Sequence, residues 1–313
     1  MDSSGNPPNA AASIRDEIEE LEARLADAKL RLESSQSGNH HGSQLTHCAS
    51  IPTAPPPSLG SPTHFLLLLS DSALPLGAFA FSSGLESFLA HNARAASATF
   101  SSFLPSSLSS FASTTLPFVL AAHRDPAAVV ELDDQLDAAI ICTVGRRASV
   151  AQGRALLSVW ERSFRPNYIS AAPVTDAADV PKGRAGSGQD GVQILREYSS
   201  LLREAKADPP IVSAHLAPLF GAICAILGLN LRQTAYVFML SHVKALISAA
   251  VRASMFGPFQ AQKLLAGAHI QSMIDVVIDR EWATPVEEAG QSVPVMDLWI
   301  GRHELLYSRI FNS

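Results

Sequence analysis

The sequence predicts an all-α fold: a helical bundle of roughly eight to ten helices, preceded by an N-terminal heptad helix and a disordered linker. Three observations predict it. Apolar residues recur at spacings of three and four through most of the chain beyond Thr63. The period-two alternation of a half-buried strand is absent. The apolar fraction of 47% in 313 residues is enough for a substantial core.

The elements follow in chain order. Residues 1–33 hold a short helix in which Ile14, Ile18, Leu21, Leu25, Ala28 and Leu32 recur at alternating spacings of four and three. That is a heptad seam, flanked by charges such as Glu17, Glu20, Arg24 and Lys29, and Ser13 can cap it. At about three heptads it is marginal alone, and two readings are open: a helix resting on the surface, or a weak two-stranded coiled coil. Residues 34–62, dense in Ser, Gly, His and Pro, read as a disordered linker. A domain over 63–313 follows. Its helical segments are Thr99 to His123, Pro126 to Ile141, Arg147 to Glu161, Val192 to Ala207, Val212 to Leu227, Leu231 to Phe256 and Gln260 to Ile278. Leu132, Leu136, Ala139 and Ile140 lie on one face of the second, with Asp133, Asp134 and Asp137 on the other. Gly145, Pro166, Pro209-Pro210, Gly228 and Gly257-Pro258 are the expected stops. Residues 170–191, rich in Ala, Gly, Asp and Pro, read as a disordered surface insert.

Composition narrows the function classes. The net charge is −6 and charged residues are 17%, which argues against nonspecific nucleic-acid binding. Low surface charge suggests instead that a partner covers apolar surface. No unbroken apolar run of about 18 residues occurs, so no membrane span is expected. Cys48, Cys142 and Cys224 are far apart and odd in number, as in reduced cytoplasmic proteins.

Catalytic and metal motifs are missing from the sequence. There is no phosphate loop, no dinucleotide turn and no nucleophile elbow. The glycine-rich run Gly183 to Gly188 sits in the insert with no strand before it. His40-His41 and His47-Cys48 lie in the linker, where a flexible chain gives no preorganised site. His215, His242, His269 and His303 are isolated, and His242 in an apolar helix reads as a satisfied core residue. The chain therefore reads as a non-enzyme with no cofactor and no metal site of its own. A helical enzyme whose site forms only in three dimensions stays open as an alternative.

The most unusual stretch is Leu66 to Glu86, LLLLSDSALPLGAFAFSSGLE. An apolar run stops at Ser70-Asp71-Ser72. A defined turn with Pro75 and Gly77 follows, then Phe79 and Phe81, then a helix start with Gly84 and Glu86. Ser72, Ser82 and Ser83 can cap, and Glu86 sits in capping-box position after Ser83. This pattern resembles the opening of the urease accessory protein F family, UreF. Two further stretches agree: Ala249 to Gln262, containing Gly257, Gln260 and Gln262, and the tail His303 to Ser313. Phe81 stands where the family usually has Tyr, and Ala80 where it often has Ser.

The resemblance implies an all-α domain and a role in urease maturation. It implies a partner UreD (also called UreH), a nickel-carrying GTPase UreG recruited to the assembly, and apo-urease as the recipient of nickel when GTP is hydrolysed. It also implies a homodimer, with nickel handled by the assembled complex. Tyr307, Ser308, Arg309, Ile310 and Phe311 would meet UreD/UreH, and the face with Gly257, Gln260 and Gln262 would meet UreG. From the residues alone the tail has two readings: it packs on its own domain, or it anchors a partner with Phe311 as plug and Arg309 as clamp. The competing function is a coiled-coil adaptor that dimerises through the heptads and is unrelated to nickel.

Overall fold

The computed structural model describes residues 61–92, 99–171, 185–204 and 212–312, together with Glu22, Arg24 and Lys29, which are helical. The rest of the heptad segment and residues 34–60 of the expected linker lie outside the described residues, and 61–62 already belong to the first helix. Contacts divide the chain into Met1–Pro57 and Ser58–Ser313, and the architecture below is that of the second unit.

The described helices are α1 (Ser61–Ser70), α2 (Leu85–His91), α3 (Phe100–Arg124), α4 (Val129–Ala139), α5 (Thr143–Val159), α6 (Arg165–Ala171), α7 (Ala185–Glu204), α8 (Leu216–Ile226), α9 (Leu231–Arg252), α10 (Pro258–Leu265), α11 (Ala268–Glu281) and α12 (Val295–Arg302). Among the described residues there is no strand, and the all-α prediction holds.

The spine is α3. Thr99 caps it: its Oγ1 accepts from the Ser102 N–H at 3.2 Å, and Ser102 Oγ accepts from the Thr99 N–H at 3.2 Å. Phe103, Leu108, Leu116, Val119 and Leu120 then bury one side of it. Around it pack α8, α9, α11 and α4. Helix α8 is apolar all round and lies deepest, with Leu219, Ala222, Ile223 and Cys224 at 0% exposure. It meets α3 so closely that a Cβ on Gly221 would lie 2.2 Å from the Val119 carbonyl oxygen. Helix α9 is long and apolar enough to cross a membrane by length and composition, but most of its surface is buried inside the bundle. Asn230 and Gln233 cap it with a second reciprocal pair.

Several boundaries differ from the sequence reading. Gly145 lies inside the first turn of α5, and Pro166 sits at the start of α6. Pro166 does not stop the helix: it follows directly on a π-helical turn, where the regular ladder is already interrupted and the Arg165 N–H bonds to the Trp160 carbonyl. A π-helical turn, Trp160–Phe164, joins α5 to α6 with Trp160 and Phe164 buried. The segment read as one helix over Gln260 to Ile278 is two, broken at Gly267, whose ψ of 136° is extended. Helix α7 begins at Ala185, inside the segment expected to be a loop. Val212 to His215 is not helical and precedes α8.

Candidate interaction surface

The turn after α1 is built as its residues dictate. Gly77 adopts φ 71° and opens a short 3-10 turn, Ala78–Ala80. Gly84 adopts φ 87° at the N-cap of α2, where a Cβ would also lie 3.1 Å from Trp299 Cβ. Pro75 is exposed, and Phe79 is 66% exposed. The expected capping box does not form. Ser82 Oγ accepts from the Glu86 N–H at 3.4 Å, but the Glu86 carboxylate is turned elsewhere.

It is turned to the C-terminal tail. Glu86 Oε1 accepts from the Ile310 N–H at 2.6 Å, and Oε2 accepts from the Phe311 N–H at 3.2 Å. The buried His303 places Nε2 3.0 Å from Oε2. Phe311 is 5% exposed, and the Arg252 guanidinium lies over its ring at 4.2 Å from the centroid. Arg252 also donates to the Phe79 carbonyl, and the Asn312 N–H donates to the Ala80 carbonyl at 2.8 Å. Three segments far apart in the chain thus meet: the turn and α2, the end of α9, and the tail.

This answers one of the open readings in part. Phe311 does not stand free as a plug; it seats in its own domain. Arg309 is occupied too. It donates to Glu304 Oε2 at 3.0 Å and to two tail carbonyls. Glu304 is shared with Arg147 of α5, and that hydrogen bond holds its carboxyl below the usual range. What the tail leaves outward is Tyr307, fully exposed, Ser308, and Ile310 at 63%. Gly257, Gln260 and Gln262 are exposed at α10, beside Phe259 at 91%. Isolated exposed apolar residues are ordinary, but Phe79 and Ile310 share one hydrogen-bonded unit and need an account.

The chain shows a clear likeness to known proteins. Residues 95–269 match the family UreF. A urease accessory UreF-like protein of Schizosaccharomyces pombe is 36% identical over 251 residues, covering 80% of this chain and 97% of that protein. Urease accessory protein F of Oryza sativa subsp. indica is 33% identical over 247 residues, 78% of this chain and 82% of its own length. Urease accessory protein UreF of Paenarthrobacter aurescens is 28% identical over 247 residues, 78% and 95%. The chain belongs to the UreF family. UreF membership carries a role in urease maturation as an accessory protein.

A second polar cluster in this UreF chain lies inside the bundle, and the sequence reading missed it. Asp133 does not face solvent; it is 0% exposed. Its Oδ2 accepts from the Ser213 and Ala214 N–H groups at 2.7 and 3.1 Å, and its Oδ1 from the His215 N–H at 2.6 Å. This holds the sharp entry to α8, where Ala214 has φ 69° and Gly153 of α5 approaches so closely that a Cβ would lie 2.1 Å from the Ala214 oxygen. One helical turn on, Asp137 Oδ1 lies 2.7 Å from His215 Nε2, and His215 Nδ1 lies 3.0 Å from Ser149 Oγ. Burial pushes the Asp137 carboxyl up, but hydrogen bonds from Arg146, then His215, outweigh this and hold it at about 2. Asp, His and Ser in a row suggest a hydrolytic triad, yet Ser149 Oγ also accepts from the Leu216 N–H at 3.3 Å. The trio ties α4 and α5 to the start of α8.

His242 is the satisfied core residue expected. It stacks on Phe111 at 3.9 Å and meets Ser107 Oγ at 3.1 Å, and burial pushes its pKa down to about 3. It borders a cavity of about 330 Å³ walled chiefly by apolar side chains, with Ser149, Gln152 and Ser241 among the polar ones. Among the described residues no group of three or more His, Cys, Asp or Glu is placed to hold a metal ion.

Proposed function

We propose that this UreF-family chain is a non-enzymatic scaffold of the urease maturation complex. It joins a UreD/UreH homologue through the tail surface and recruits a UreG GTPase homologue through the α10 face. The assembly then inserts nickel into apo-urease as GTP is hydrolysed. The chain itself supplies shape, works as a homodimer in the cytoplasm, and needs no cofactor. The observation that carries this reading is the meeting of Glu86, Arg252 and the tail in one hydrogen-bonded unit, from which Phe79, Tyr307 and Ile310 project outward. Exposed aromatic and aliphatic groups on a rigid support are what a protein partner buries. The UreF match supplies the kind of partner.

The test is co-expression of the full chain with its UreD/UreH and UreG homologues, followed by affinity capture on the chain. Capture of UreD/UreH, with UreG retained only when the chain is present, supports the scaffold. Loss of urease activity on deleting the chain, restored by re-expression, supports the maturation role. Capture of neither homologue from soluble, folded protein overturns it.

A further inference from the structure

We propose that the cavity beside His242 is a binding site for a small neutral molecule with a flat apolar body and one hydroxyl or carbonyl head, such as a phenol. This goes beyond the scaffold role and does not depend on it, because the site lies inside the bundle and not on its partner surface. At about 330 Å³ the cavity falls within the size range of small-molecule sites. Two helices give it their apolar stripes: residues 107, 110, 111 and 114 of α3, and residues 238, 241, 242 and 245 of α9. Each set has the spacing of one helix face.

One wall is aromatic. Phe111 stacks on Phe238 with ring centroids 5.2 Å apart and 17° between planes, and Phe238 meets Phe220 at 5.3 Å. All three line the cavity. Ring faces and edges of this kind pack best against a flat, unsaturated body.

The polar groups are few and incompletely satisfied. The His242 ring is covered on one face by Phe111, and its Nε2 meets Ser107 Oγ at 3.1 Å. Its Nδ1 has no hydrogen-bond partner among the described residues, although His242 is only 8% exposed. One helical turn along α3 from Ser107 stands Ser110, 5% exposed. Its carbonyl accepts from Ser113 and Thr114, but its hydroxyl makes no hydrogen bond among the described residues. Buried polar groups without partners are uncommon and call for an occupant. A hydroxyl can donate to the imidazole nitrogen and accept from the serine. A water can do the same, but it leaves most of the volume facing apolar walls.

Charge restricts the class further. Among the lining residues no lysine or arginine occurs, so an anion would lose its hydration with no cation to replace it. Burial keeps the imidazole neutral as well. The one lining carboxylate, Asp297, already accepts from Gln291 Nε2 at 2.9 Å. Size, aromatic wall and missing charge thus agree on a neutral occupant.

The experiment is equilibrium dialysis of the purified full chain against three probes of one shape: naphthol, naphthalene and naphthoate. Naphthol is expected to bind saturably at one site per chain, with naphthoate at least about tenfold weaker. Ser110→Ala removes a hydroxyl that bonds to nothing in the protein, so the fold should be unaffected. In S110A naphthol should weaken by about fivefold, one neutral hydrogen bond's worth, while naphthalene is unchanged. Ala245→Phe, which fills the cavity from α9, should abolish binding of all three. No saturable naphthol binding to the parent chain overturns the site and leaves water as the occupant. Naphthoate binding as tightly as naphthol overturns the neutral class. Unchanged naphthol affinity in S110A overturns the placement of the head group. Undiminished binding to folded A245F places the probe outside this cavity and overturns the proposal. Should A245F fail to fold, the S110A comparison decides alone.

Discussion

Asp133 and Glu86 both gather consecutive backbone N–H groups, yet one does so in the core and the other at the rim. Asp133 takes three N–H groups from Ser213 to His215, and that whole stretch is buried. Glu86 takes two, from Ile310 and Phe311, and the residues on either side of the buried Phe311 face water. The same chemistry therefore serves two ends. In the core it fixes the entry of α8 and lets α5 approach it through Gly153. At the rim it holds a chain end in one register and leaves side chains on show. Burial decides the energetic weight: a buried N–H stripped of its acceptor cannot turn to water, whereas a rim N–H can.

The largest expected effect follows directly. Asp133→Ala leaves three buried N–H groups without an acceptor. At about 1–3 kcal/mol each, with incomplete relaxation, the loss is on the order of 4 kcal/mol. Urea denaturation of the full chain measures it. Glu86→Gln on the same assay should cost no more than about 1 kcal/mol, since its partners reach solvent on release. Equal losses for the two variants would erase the distinction between a core staple and a rim latch.

How much of this is readable in sequence follows the same division. The long helices α3 and α9 are legible because their caps and apolar faces are local signals, and both ends fall within a few residues of expectation. The break at Gly267 is not, because the apolar spacing runs through it and only the backbone turns. Asp133 looks like one of three carboxylates on a wet face, since a sequence shows a helix's charged side but not what packs on it. The bend at 213–215 that claims it lies eighty residues away. Glu86 carries a local signal, the capping box, that points to the wrong partner; the donors it accepts from lie at the other end of the chain. The three motifs could be read one by one, but their meeting is a long-range fact. The Met1–Pro57 unit with its heptads and linker lies almost wholly outside the described residues, so the adaptor reading that depends on it is left to the capture experiment.

The middle prediction tests the core half alone. His242 is held neutral by burial, with a pKa pushed down to about 3 from an ordinary value of 6.5. The unfolded chain binds a proton there below about pH 6.5 and the folded chain does not, so stability falls as pH drops through the window from 6.5 towards 3. Between pH 7 and pH 5 the loss from this one group is about 2 kcal/mol. His123, also lowered chiefly by burial, acts in the same direction. Denaturation at the two pH values measures the sum, and His242→Gln should remove most of the slope. A slope unchanged in that variant would assign the acid sensitivity elsewhere.

The smallest expected effect on stability is at the rim, and it is the sharpest test of what the rim is for. Tyr307 is fully exposed, so removing its ring takes nothing from the folded core, and Tyr307→Ala should change stability by no more than about 0.5 kcal/mol. The tail should remain docked, because Glu86 holds the backbone of Ile310 and Phe311 and touches no atom of Tyr307. Binding is where the loss should appear. A tyrosine on a rigid support has a large apolar body, a polar tip and few rotamers to freeze, and truncating such a residue at an interface centre costs about 2 kcal/mol or more, a factor of roughly thirty in affinity. Melting and capture of the UreD/UreH homologue on the same preparation give both numbers. A parent-like melt with weakened capture places Tyr307 in the interface. A parent-like melt with parent-like capture makes Tyr307 a solvated residue, and the partner surface then shifts from the tail towards Phe79 and the α10 face at Phe259.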